Sequence, residues 1–197
     1  MASISVSLDG HLLVRVRTDN YDVVSVSASG TRVEDEFSEL YISASSHPEH
    51  GESTHLIWLN SLVILPGQLV QVGFSKDGET TEAGKTIDEL FPDELSSEPI
   101  DFKPTSEMFT ELRARPSKRA GYRIAVELPS GTRMFTQTTP EEHGYGFSVL
   151  WNWLHPERAS VSLHSYTIDS MEHKTPMQYH AEEHLHLEPS VNVTIDA

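Results

Sequence analysis

The chain has 197 residues, 14 Lys and Arg against 30 Asp and Glu, a formal charge of -16 and no cysteine. Its 37% hydrophobic content is enough for a packed core, and the missing thiols exclude disulfides, thiolate zinc sites and cysteine nucleophiles. A field this negative repels nucleic acid and anionic membranes as main partners, and no apolar run reaches the ~18–20 residues of a membrane span.

The first residues, Met1-Ala2-Ser3-Ile4, show neither a basic stretch nor an apolar block, so a cytoplasmic protein without a leader is expected. Strand signals begin at once. Ile4, Val6 and Leu8 alternate with serines, and Leu12, Val14 and Val16 alternate with Leu13, Arg15 and Arg17. A period of two marks a strand with one face in the core. Val70, Val72 and Phe74 repeat it, as do Val161 and Leu163, then Val191, Val193 and Ile195. Asp9-Gly10, Ser29-Gly30, Pro66-Gly67, Asp77-Gly78 and Ser130-Gly131 read as turns between the runs.

Helical signal is scarce. Thr86-Ile87-Asp88-Glu89 is a capping box, with Pro92 as a stop. Ser106 to Arg113 places Met108, Phe109 and Leu112 on one side of a second short helix that ends before Pro116.

Several motifs recur in order. Tyr21-Asp22-Val23-Val24 followed by Ser29-Gly30-Thr31-Arg32 matches Tyr122-Arg123-Ile124-Ala125 followed by Ser130-Gly131-Thr132-Arg133. Pro48-Glu49-His50-Gly51 matches Pro140-Glu141-Glu142-His143-Gly144 with one added glutamate. Trp58 and Trp151 each follow the glycine by seven residues, and Lys85-Thr86 matches Lys174-Thr175. The expected fold is mainly β, with one or two short helices per unit. It is a tandem duplication of a small β unit, packed as a pair of sheets or as sandwich-like units. Residues 1–95 form the first β-rich unit, 96–118 a polar connector with a short helix, and 119–197 the second unit.

Charge is unevenly placed. Residues 76–112 hold 11 acids and 3 bases, whereas Arg113, Arg115, Lys118, Arg119 and Arg123 cluster without an intervening acid. The simplest role for that cluster is to neutralise acidic surface of the same molecule. The run Val33-Glu34-Asp35-Glu36-Phe37-Ser38-Glu39-Leu40 is the best interaction candidate. Glu34, Asp35, Glu36 and Glu39 suit a basic partner surface, because such complementarity speeds association and enforces specificity.

Histidine offers further candidates among the 11 present. His50 and His143 recur beside glycine and glutamate as a paired-loop candidate, since a histidine next to a carboxylate serves as a base or a ligand. His180, His184 and His186 form the densest cluster; on a helix His180 and His184 share a face, as a metal site needs. Their spacing departs from zinc-protease and cupin patterns. Trp151 and Trp153 alternate, so one of them is a candidate surface anchor. Arg32 and Arg133 are placed to bridge to carboxylates. No Gly-x-Ser-x-Gly elbow, phosphate loop or dinucleotide fingerprint is present.

The expected function is therefore an acidic protein-binding module without a cofactor; the motifs lend no support to an enzyme, and their absence does not decide the point. An inhibitor or immunity protein that occludes a basic partner surface has this size and composition, an analogy that no motif carries. The alternatives are a histidine-based metal-binding module or hydrolase, and a structural or assembly subunit joined through edge strands.

Overall fold

Alternation of apolar and small polar residues builds twelve strands, and the computed structural model describes residues 2–47, 52–92, 103–186 and 190–196. The first six strands are β1 (Ser3–Leu8), β2 (His11–Arg17), β3 (Val23–Thr31), β4 (Ser38–Ser46), β5 (Thr54–Ile64) and β6 (Leu69–Ser75). The last six are β7 (Arg123–Glu127), β8 (Arg133–Gln137), β9 (Gly144–Asn152), β10 (Arg158–Tyr166), β11 (Gln178–His186) and β12 (Val191–Asp196). Three short helices, α1 (Ile87–Leu90), α2 (Ser106–Ala114) and α3 (Ile168–His173), lie between strands. The mainly β expectation holds: two six-stranded antiparallel sheets pack as a sandwich.

One sheet runs β2-β1-β6-β12-β7-β8 and the other β5-β4-β3-β9-β10-β11. Each half of the chain gives three adjacent strands to each sheet. The halves meet in antiparallel pairs, β6 with β12 and β3 with β9. Strand order is thus the same read inward from either edge. Register follows the same symmetry. Ile4 opposes Phe74 in the first half, and Ile124 opposes Ile195 in the second. The β4–β5 ladder slips between Ile42 and Ser43, and the β10–β11 ladder slips at the equivalent place, between Leu163 and His164.

The inward rows of both sheets form one core. Val24, Val26, Ala28, Phe147 and Val149 from one sheet join Val70, Val72, Ile124, Val126 and Val193 from the other. Each fully buried Val, Ile or Phe among them contributes about 1.5–3 kcal/mol. The outward rows are small and polar: Ser25, Ser27, Ser148, Ser160 and Ser162 on one sheet, Ser5 and Ser7 on the other. Asp9 and Gly10 take positive φ in the β1–β2 hairpin, as a two-residue primed turn requires.

The motif matches read from the sequence fall on non-equivalent elements. Trp58 lies on β5, whereas Trp151 lies on β9. Ser130-Gly131 is the β7–β8 turn, whereas Ser29-Gly30 sits inside β3. Gly30 is needed there for space. A Cβ at this position would stand 2.7 Å from the Tyr122 hydroxyl and 2.8 Å from the Phe37 carbonyl. The dipeptide therefore marks a crowded strand and not a bend.

One lateral side of the sandwich is closed by the chain itself. Residues 79–86 run as a strap along the outer edge of β2, where Thr81 N donates to Arg15 O and the Arg15 and Arg17 amides donate to Thr81 and Thr80 hydroxyls. The strap then crosses to β5, exchanging backbone hydrogen bonds between Lys85 and Ile57 at 2.8 Å. Trp58 donates its indole N–H to Glu82 O and packs, half-buried, between the strap and the main core.

Gly30→Ala should lower stability by about 1–3 kcal/mol, the usual cost of overpacking. Urea denaturation checks this; an unshifted midpoint would show that Tyr122 moves aside freely.

Candidate functional site

The acidic run lies on the connection from β3 to β4, at one end of the sandwich. Its shape depends on a second segment brought alongside it from residues 115–122. Lys118 N donates to Arg32 O at 2.7 Å. The Arg119 guanidinium donates to the backbone carbonyls of Thr31 at 2.5 Å and Asp35 at 3.1 Å. It also lies over the rings of Phe37 and Tyr122, 5.6 and 5.8 Å from their centroids. A cation over aromatic faces is attracted by their quadrupoles.

Tyr122 fills the interior below. Its hydroxyl lies 2.7 Å from Thr31 O and 3.0 Å from Phe37 O. Burial pushes its ionisation up, against the opposing pull of Arg119, so it stays a neutral donor. Its ring meets those of Phe37 and Tyr145 at 5.4 and 4.7 Å. Ser38 then ties the start of β4 to Ser29 O at 2.9 Å and to the Tyr145 hydroxyl at 2.5 Å. The loop is pre-organised by buried groups below its exposed carboxylates.

The four candidate carboxylates divide into two pairs. Glu34 pairs with Arg115 at 3.3 Å and Asp35 with Lys118 at 2.9 Å. Arg113 bridges to Asp169 and Glu172, linking α2 to α3, and Arg123 pairs with Asp196. The basic cluster thus neutralises acids of its own chain. Glu36 and Glu39 make no ion pair among the described residues. With Glu34 they line a cavity of about 170 Å³, together with Ser29, Thr31 and Ser38. Arg32, expected to bridge to a carboxylate, instead donates to the carbonyls of Arg119 and Pro140, whereas Arg133 does meet Glu127 at 3.1 Å.

The histidines separate. His143 is buried at the end of the sandwich beside the acidic loop, where its carbonyl accepts from Arg32 N and its amide donates to Tyr166 O. His50 lies outside the described residues.

His180, His184 and His186 lie on the strand β11 and not on a helix. His180 turns inward and bridges the two sheets. Its Nε2 lies 2.7 Å from Ser165 Oγ, and its Nδ1 lies 3.1 Å from Thr136 Oγ1 on β8. Ser165 in turn donates to Glu142, whose other oxygen accepts from Thr139 N at 2.5 Å. This Ser-His-Glu group has the residue types of a hydrolytic site, but Ser165 is 0% exposed. Its role is to join β8, β10 and β11 by buried hydrogen bonds. His184 and His186 are exposed. Among the described residues, no three His, Asp or Glu side chains are placed to hold a metal.

Two features escaped the sequence. Lys118 and Arg119 hold the acidic loop, through contacts between residues more than eighty positions apart. His164 on β10 lies over Gly146, where a Cβ would come within 2.6 Å of the ring, and its Nδ1 is buried without a partner among the described residues. Trp153 is the exposed member of the tryptophan pair and Trp151 the buried one. Trp153 borders a cleft of about 230 Å³ with Tyr21, Asp19 and Trp151. Comparison with family models, with curated proteins and with solved structures finds no match for this chain.

Burial holds both His143 and His164 below the ordinary imidazole range; the charge of Arg32 adds to this at His143, and His180 adds to it at His164. Protonation then favours the unfolded chain. The stability from keeping both rings neutral is present above about pH 6.5 and is lost as pH falls through their lowered folded values. Thermal unfolding from pH 7.5 to 5 should show a falling Tm, and the double substitution His143→Gln with His164→Gln should flatten that slope. An equal slope in the variant would assign the acid sensitivity elsewhere.

Proposed function

We propose that this chain is a protein-binding module whose acidic β3–β4 loop receives cationic side chains of a basic partner surface. One observation carries the proposal. Glu36 and Glu39 line an open cavity that no basic side chain lines, on a loop already held rigid by Arg119 and Tyr122 from below. A rigid loop loses little entropy on binding. Arg115 and Lys118 offset part of the charge at Glu34 and Asp35; as exposed pairs they contribute about 0–1 kcal/mol each and can exchange for partner cations. The mechanism is occlusion, with a carboxylate-rich surface covering a basic rim, as an inhibitor or immunity protein would do. The net charge of -16 favours encounter with such a partner at a distance.

The test is a titration of isotope-labelled protein with a short arginine-rich peptide at low and high salt. Amide shifts should centre on residues 34–39 and shrink with salt. The double substitution Glu36→Gln with Glu39→Gln should weaken binding about fivefold or more, on the order of 1 kcal/mol. Unchanged affinity in that variant would remove the loop from the contact.

A further inference from the structure

The two lateral sides of the sandwich are equivalent by strand order, yet one is strapped and the other, among the described residues, is open. Ladder register defines the correspondence residue by residue. Arg15 opposes Ser5, and Phe135 opposes Ala125, at matching places in β2 and β8. Arg17 likewise corresponds to Gln137. In the other sheet Ile57 opposes Ser43 just past the ladder slip, and Tyr179 opposes His164 just past its own. Ile57, with which the strap pairs, is 3% exposed, whereas Tyr179 is 58% exposed.

The backbone of β8 is prepared for a neighbour. Leu128 N donates to Thr132 O and Thr138 N to Tyr122 O, so the even-numbered positions of β8 bond inward to β7. By the alternation of an antiparallel ladder, the N–H and C=O groups of Arg133, Phe135 and Gln137 point outward. Among the described residues they meet no backbone partner. These are the positions that correspond to the strap contacts at Arg15 and Arg17. Phe135 is 71% exposed. It borders a groove of about 390 Å³ on the outer face, floored by Ala125, Asn192 and Thr194.

We infer that the open β8/β11 edge is a docking edge for an extended segment of a partner protein carrying apolar and basic residues. The segment would pair with Phe135 and Gln137, set one apolar side chain in the groove beside Phe135, and cross to Tyr179. Main-chain bonds supply affinity in this mode, and pockets for alternate side chains supply specificity. Charge selects the occupant. On the strapped side, Glu79 of the strap pairs with Arg17 of β2 at 3.0 Å, so strap and edge are complementary. On the open side β11 presents Glu182 and Glu183, both exposed and without an ion pair among the described residues, and the one cation of β8, Arg133, is matched by Glu127 at 3.1 Å. An acidic segment from a second copy of this chain is disfavoured there; a basic one fits. This edge uses other strands than the acidic β3–β4 loop, so binding at either surface can be lost without the other.

Hydrogen exchange tests the inference with an eight-residue peptide that alternates valine with lysine. In the protein alone, the amides of Arg15 and Arg17 should exchange slowly and those of Phe135 and Gln137 fast. Added peptide should slow Phe135 and Gln137 by about tenfold or more. The double substitution Glu182→Lys with Glu183→Lys should abolish that protection while leaving Tm unchanged, as should Phe135→Glu at its exposed position. Protection of Phe135 and Gln137 in dilute protein alone would mean that the chain covers its own edge, and would overturn the inference. Protection that grows with protein concentration would assign the edge to a second copy and overturn the basic occupant. Peptide binding without protection at these two amides would overturn it as well.

Discussion

Two antiparallel pairs, β3 with β9 and β6 with β12, join the halves of the chain, and everything else is arranged around them. Neither half closes a sheet alone. Val26 faces Val149 across the first seam, and Val72 faces Val191 across the second. These side chains lie in the same core, so pairing and burial reinforce each other. A one-residue slip at either seam would turn a whole valine row toward water and a serine row inward. That cost fixes the register of both sheets, and the register sets the edges, the end loops and the burial of the polar bridge at His180.

The charge of the molecule follows from the same geometry. Strand faces are lined by serine and threonine, so carboxylates are displaced to loops and edges. The segment before β7 returns past the β3–β4 loop, and its basic residues land on the acids of that loop. A formal charge of -16 is therefore a sum over a patterned surface. Arginine backs the acidic loop from below, arginines line the strapped edge, and the open one carries Glu182 and Glu183 beside the Arg133–Glu127 pair.

Much of the fold was legible in local pattern. The alternations at Ile4–Leu8, Leu12–Val16, Val70–Phe74 and Val191–Ile195 are strands because a period of two is imposed by the pleat itself. The capping box at Thr86 was readable for a similar reason: its hydrogen bonds close within four residues. Strand partners were not legible. Val149 and Ile42 are equally good neighbours for Val26, and nothing nearby distinguishes them before the sheet forms. The motif matches failed on that point, since tryptophan and Ser-Gly recur for unrelated local reasons. At the site, the acidic run was visible as composition, but its support by Arg119 and Tyr122 was not. For His180 its place on β11 beside the ladder slip, and not the helical spacing, sets the ring's surroundings.

The seams also bear on synthesis. When β1 to β6 have left the ribosome, β3 and β6 are still edge strands, each with a row of backbone groups prepared for pairing and a valine-rich inner face. Their partners lie in the second half, β9 after β8 and β12 as the last of the twelve strands described. The nascent first half is thus a pair of unfinished three-stranded sheets, held open until β9 and β12 arrive. Closure is a long-range event with a high entropic threshold. The interval before it is when this protein is most exposed to pairing with the wrong chain.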